Sequence, residues 1–171
     1  MTTTTPLAFP VLAFGPDVGR HSVPGRERLD YFLGEEGFST CTSWDLKYVA
    51  RQGMVLADCA GRCWRIVRVE DLGVTRGPWE RVLRFLLQQS VHRISQEIVE
   101  EAALSLHDLK ERVCASIEAD RDRWRGDDAM VDEDGELRND QEILDELMAA
   151  VRRAETLPQV INALYEEHLP G

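Results

Sequence analysis

The sequence predicts an α+β fold: a small, mainly antiparallel sheet, with amphipathic helices concentrated in the C-terminal half. Three observations carry this. Two apolar runs at about 54–69 are joined by a tight turn, the form of a β-hairpin. From residue 105 onward, apolar residues recur three, four or seven apart, the period of a helix with one buried face. The 171 residues are 43% hydrophobic and 30% charged, which suits one globular domain and is too apolar for a disordered chain. The chain is therefore read as a single domain, with a sheet-bearing part at about 1–77 and an acidic, mainly helical part at about 78–171.

The elements follow in order. Leu7–Phe14 is rich in strand formers and has no polar face, as in a strand covered on both sides. Pro10 cannot donate to a ladder, which predicts an edge strand or a bulge, and Gly15-Pro16-Asp17 reads as its end. Residues 18–28 read as a loop, and Leu29–Leu33 as a short apolar segment of undetermined type closed by Gly34 and Gly37. Thr42 and Asp45 have capping-box spacing for a short helix, with Leu46, Val49 and Ala50 on one face and Gly53 after its end.

The hairpin pairs Met54–Cys59 with Cys63–Val69 around Ala60-Gly61-Arg62. Trp64, Ile66 and Arg68 alternate with Arg65, Val67 and Val69. Gly77-Pro78 opens a helix with Val82, Leu83, Leu86 and Leu87 as its stripe. Residues 91–101 fit either a continuation of that helix or a strand; the hairpin's need for partners favours the strand. Ser105 and Asp108 cap a helix bearing Leu109, Val113 and Ile117. A second helix starts near Asp140, and Thr156 with Gln159 caps the last one.

Charge narrows the function classes. The net is −11, and residues 78–171 hold 22 acidic against 11 basic side chains, whereas residues 1–77 balance nine with nine. Such a field repels phosphate backbones and anionic membrane surfaces, so neither nucleic acid nor membrane is an expected partner. A basic protein is the partner this charge attracts. The longest apolar run, Leu7–Phe14, is far short of a membrane span, and residues 1–6 lack a basic signal n-region, which implies a cytoplasmic location.

No nucleotide loop, serine-hydrolase elbow or zinc-protease signature occurs, so no cofactor is expected. Cys41, Cys59, Cys63 and Cys114 lack C-x-x-C spacing, and no metal is expected. Cys59 and Cys63 should face each other across the hairpin as small apolar residues. The acidic stretch around Asp132 and Asp134 lacks the first and last ligands of a calcium loop, Met130 and Gln141 standing there instead.

Two function classes remain. The first is a non-enzymatic protein-binding module, such as a small acidic bacterial inhibitor of the immunity type, contacting its partner through Asp127, Asp128, Asp132, Glu133, Asp134 and an exposed Trp124. The second is a small enzyme with its site in the N-terminal loops, built from Asp17, His21 and the cysteines. His92, His107 and His168 are read as surface or hydrogen-bonded residues.

Overall fold

In the computed structural model, strands from the first hundred residues form one six-stranded, curled antiparallel sheet. The structure describes residues 7–17, 23–47, 51–75, 77, 89–124 and 140–166. The strands are β1 (Val11–Pro16), β2 (Glu27–Phe32), β3 (Thr40–Thr42), β4 (Val55–Asp58), β5 (Cys63–Val74) and β6 (Val91–Glu101). Their order across the sheet is β2-β1-β4-β5-β6-β3. Two short helices, α1 (Glu35–Ser39) and α2 (Ser43–Lys47), flank β3. Four more follow: α3 (Leu106–Ala119), α4 (Arg121–Trp124), α5 (Asp140–Arg153) and α6 (Leu157–Glu166). The α+β class is as the sequence predicts. The chain divides into two compact units, Met1–Ala103 and Leu104–Gly171. The strand Val91–Glu101 belongs to the first.

In the first unit β1 lies between β2 and β4, so it is an interior strand and not the edge that Pro10 suggested. The reason is local. Pro10 stands just ahead of the first paired residue, Val11, and its missing N–H costs the ladder nothing. The strand also runs on through Gly15 and Pro16, which pair with Arg28 and Glu27 after β4 has left the other side at Phe14. Gly15 is required for packing: a Cβ there would sit 2.3 Å from Met54 Cγ and 3.3 Å from Met54 Cα.

Pairing sorts side chains onto two faces. Val11, Ala13, Met54, Leu56, Trp64 and Ile66 form the core of one face, with Phe32, Phe38, Val69 and Ile98 packed against it. Leu12, Phe14, Leu29, Val55, Ala57 and Cys63 lie on the other face and are buried too. Apolar residues on both faces are what the unbroken run Leu7–Phe14 predicted.

The hairpin is present as β4 and β5, but its turn differs. Cys63 pairs with Ala57, so Cys59 lies in the turn and does not oppose Cys63; its Sγ donates to Phe9 O at 3.2 Å. A four-residue connection, Cys59–Arg62, forms because the Asp58 carboxylate at the end of β4 fills it. Gly61 supplies the positive φ of 79° that the turn needs. Beyond Ile66 the register with β6 shifts by one residue, and again between Asp71 and Gly73. The first bulge turns Val69 to the core face and leaves Arg68 exposed, reversing the strict alternation read from sequence.

In the second unit the expected caps are in place. Ser105 Oγ accepts from Asp108 N at 3.1 Å, and Gln159 N donates to Thr156 Oγ1 at 3.4 Å. Leu109, Val113 and Ile117 of α3, Ile143, Leu144, Leu147, Met148 and Val151 of α5, and Leu157, Val160, Ile161 and Leu164 of α6 are buried. Lys110 Nζ reaches the carbonyls of Arg152 (2.7 Å) and Ala154 (3.0 Å), supplying donors at the C-terminal end of α5. Among the described residues no helix is long and apolar enough to cross a membrane.

Candidate functional site

Three places in the sheet unit carry polar chemistry. The first is a cleft of about 100 Å³ lined by Arg28, Asp30, Tyr31, Phe32, Asp45 and Arg51. Strand alternation puts Arg28, Asp30 and Phe32 on one face of β2. Arg28 Nε lies 2.7 Å from Asp30 Oδ2. The Arg51 guanidinium lies 4.6 Å from the Phe32 ring centre and donates to the carbonyls of Gly37 and Phe38. Thr42 Oγ1 accepts from Asp45 N at 3.2 Å, the cap expected for α2, and donates to Asp45 Oδ2 at 2.9 Å. Burial lowers the Arg51 pKa, although a guanidinium stays charged at any physiological pH. Substrate pockets usually run from about 300 Å³ upward, so this cleft admits little more than a side chain or a small ion.

The second place is a row on the same face. Cys41 of β3 is directly opposite His92 of β6, and His92 Nδ1 lies 2.9 Å from Asp71 Oδ2 of β5. The N–H of Gly73 and the His92 ring hold the Asp71 carboxyl below its ordinary pKa. A thiol, an imidazole and a carboxylate in that order resemble a nucleophile with its base and orienter. Burial, however, pushes the Cys41 thiol up, with Arg51 opposing it only in part. Cys41 is thus a neutral thiol at physiological pH, the state of an unreactive cysteine.

The third is Asp58, wholly buried at the end of β4. Its carboxylate accepts from Ala60 N (3.0 Å), Arg62 N (3.0 Å), Arg62 Nε (2.9 Å) and Trp64 Nε1 (3.3 Å). The Arg62 guanidinium also lies over the Trp64 ring. Burial pushes the acid up, but the Arg62 and Trp64 hydrogen bonds outweigh it and hold the pKa below its ordinary value. This is a fully satisfied structural anion.

Of the residues singled out from sequence, Asp17 closes its own loop. It accepts from Val23 N at 2.9 Å and pairs with Arg26 at 2.6 Å. Burial raises its pKa, yet Val23 and Arg26 together bring it below the usual value, so it is a fixed carboxylate and not a poised base. Trp124 is only 2% exposed, contrary to the exposed position expected of it: it ends α4 as an apolar anchor, while Arg123 lies over its ring. His21, His168, Asp127, Asp128, Asp132, Glu133 and Asp134 lie outside the described residues, as does the helix read from Pro78. Among the described residues no three His, Cys, Asp or Glu side chains converge as a metal-ligand set.

A surface that sequence reasoning missed is the outward face of the β5–β6 ribbon. Val67 is 39% exposed, Leu72 61% and Val99 51%. Register puts Val99 opposite Arg65, and Val67 and Leu72 fall at the two register shifts, beside Arg68–Glu97 and Gly73–Arg93. Arg65 pairs with Glu101 across the strands. The alternation at Arg65 and Val67 was the available signal, but its extent depends on two bulges that no local pattern announces. The chain matches no family model, no curated protein and no solved structure.

Proposed function

We propose that this protein is a non-enzymatic protein-binding module, an acidic inhibitor of the immunity type, and that the outward face of the β5–β6 ribbon is its contact surface. One observation supports the reading: Val67, Leu72 and Val99 are exposed on the β5–β6 ribbon, Val67 and Leu72 at its two register shifts, with charged and polar pairs such as Arg68–Glu97 and Glu70–Ser95 among them. Exposed apolar side chains interspersed with charged ones are a surface that a protein partner can cover. The net charge of −11 supports a basic partner, whose approach it accelerates.

The test is capture of a partner from source lysate on the immobilised chain, followed by affinity measurement with Val67→Ser, Leu72→Ser and Val99→Ser combined. A hot-spot face loses at least ten-fold in affinity, about 1.4 kcal/mol. Unchanged affinity places the contact elsewhere.

A second reading, a small enzyme, has the Cys41–His92–Asp71 row in its favour. It requires Cys41 to alkylate in the native protein at neutral pH, at a rate that falls when His92 is replaced by Gln. A Cys41 that stays unmodified until the chain unfolds removes it.

A further inference from the structure

β3 covers only Val91, His92 and Arg93 of β6, three of its eleven residues. On the core face, Gln96 Nε2 donates to Phe38 O of α1 at 2.6 Å. The last stretch, Ile98–Glu101, pairs with β5 on one side, and among the described residues no strand pairs with it on the other. An unpaired strand edge is a row of backbone donors and acceptors ready for another strand. We propose that Ile98–Glu101 receives an extended, basic segment of the partner as an added antiparallel or parallel strand. The proposal rests on the protein-binding reading above and names its mode and the chemistry of the segment.

Charge selects the occupant. The edge carries Glu97, Glu100 and Glu101, with Glu101 answered by Arg65 and Glu97 opposite Arg68. Among the described residues no cation answers Glu100: it stands opposite Trp64, on the same face as Ile98. An added strand therefore meets a carboxylate beside an apolar residue. Arginine or lysine alternating with valine-like residues satisfies both, with cations set toward Glu100 and apolar groups toward exposed Val99. A second copy of this chain brings like charge: its own Glu97, Glu100 and Glu101 against these three, which discriminates against self-pairing. Backbone bonds supply the affinity and the carboxylates the preference for a basic sequence.

The experiment uses the full chain and three capped eight-residue peptides: alternating arginine and valine, alternating glutamate and valine, and the arginine peptide N-methylated at alternate amides. Anisotropy gives affinity, and amide hydrogen exchange reports the site. The arginine peptide should bind and slow exchange within Ile98–Glu101, the glutamate peptide should not bind, and N-methylation should weaken binding at least ten-fold. Glu100→Lys, at an exposed position, should weaken the arginine peptide several-fold and leave the circular dichroism spectrum unchanged. Equal binding of the N-methylated peptide, or protection confined to other strands, overturns strand addition. A dimer of the chain that Val99→Pro dissociates also overturns it, by making a second copy the occupant. A captured partner whose affinity falls with Val67→Ser and Leu72→Ser but not with Glu100→Lys overturns the edge and leaves the binding module standing. The reverse pattern keeps the edge and removes the ribbon face.

Discussion

Asp58 shows how much one residue decides. Its carboxylate closes the turn between β4 and β5, ties Trp64 to that turn and pairs with Arg62 at 2.7 Å. Asp58→Asn keeps the shape but loses the charge on several short hydrogen bonds, so it should destabilise the sheet unit by about 3 kcal/mol in urea denaturation. Because burial is outweighed by the Arg62 and Trp64 bonds, the folded pKa lies below the unfolded value of about 3.9. The stabilisation is therefore full above the unfolded pKa and is lost as pH falls through the folded one. In the Asn variant the acid side of the stability profile should flatten; an unchanged slope below pH 4 would assign it to other carboxylates. Thiol chemistry gives a second check. Cys41 and Cys114 are buried and their thiols pushed up by burial, whereas Cys59 is partly exposed. Mass mapping after brief alkylation at pH 7.5 should find Cys59 modified first. Neither the Asp58 anchor nor the Cys41–His92–Asp71 row was legible in the sequence. The row joins residues that strand register brings together, Cys41 and His92 being 51 positions apart, whereas the Asp58 anchor is local but depends on the conformation of the turn from Asp58 to Arg62.

At the scale of elements the sequence was most legible where the signal is local. Caps at Thr42, Ser105 and Thr156, the hairpin and the apolar stripes of α3, α5 and α6 all depend on residues within a few positions of one another. Ser105→Ala should cost about 1 kcal/mol of helical-unit stability by thermal melting, since Asp108 N loses its acceptor. Legibility failed where pairing decides. Pro10 suggests an edge strand or a bulge because it cannot donate within a ladder, yet the ladder starts one residue later. Gly15 was read as a break, and it is instead the point where β1 approaches Met54 too closely for a side chain. Gly15→Ala should destabilise the sheet unit by about 1–3 kcal/mol, the usual cost of overpacking. A stability equal to the parent's would mean that Met54 can move aside, and that close approach is not why glycine stands there.

For the whole molecule, the proposed binding role would divide recognition between long-range charge and a contact face. The excess of acidic side chains in residues 78–171 was plain from the sequence, but a field has no address: it speeds encounter with any basic partner and does not say which surface closes on it. In the proposed reading the exposed apolar residues of the β5–β6 ribbon would supply such an address, and two of them, Val67 and Leu72, stand at its two bulges. This division makes a kinetic prediction. With a captured partner, raising sodium chloride from 50 to 300 mM should lower the association rate constant at least ten-fold and change dissociation little, since exposed charges are screened over about a Debye length. Val67→Ser with Leu72→Ser should act the other way, raising the dissociation rate while leaving the salt slope of association intact, because neither substitution alters charge. Stopped-flow measurement of both rates separates the two. If association were indifferent to salt, the acidic field would serve solubility alone and the basic-partner assignment would fall; if the serine pair changed neither rate, the ribbon would be ordinary surface.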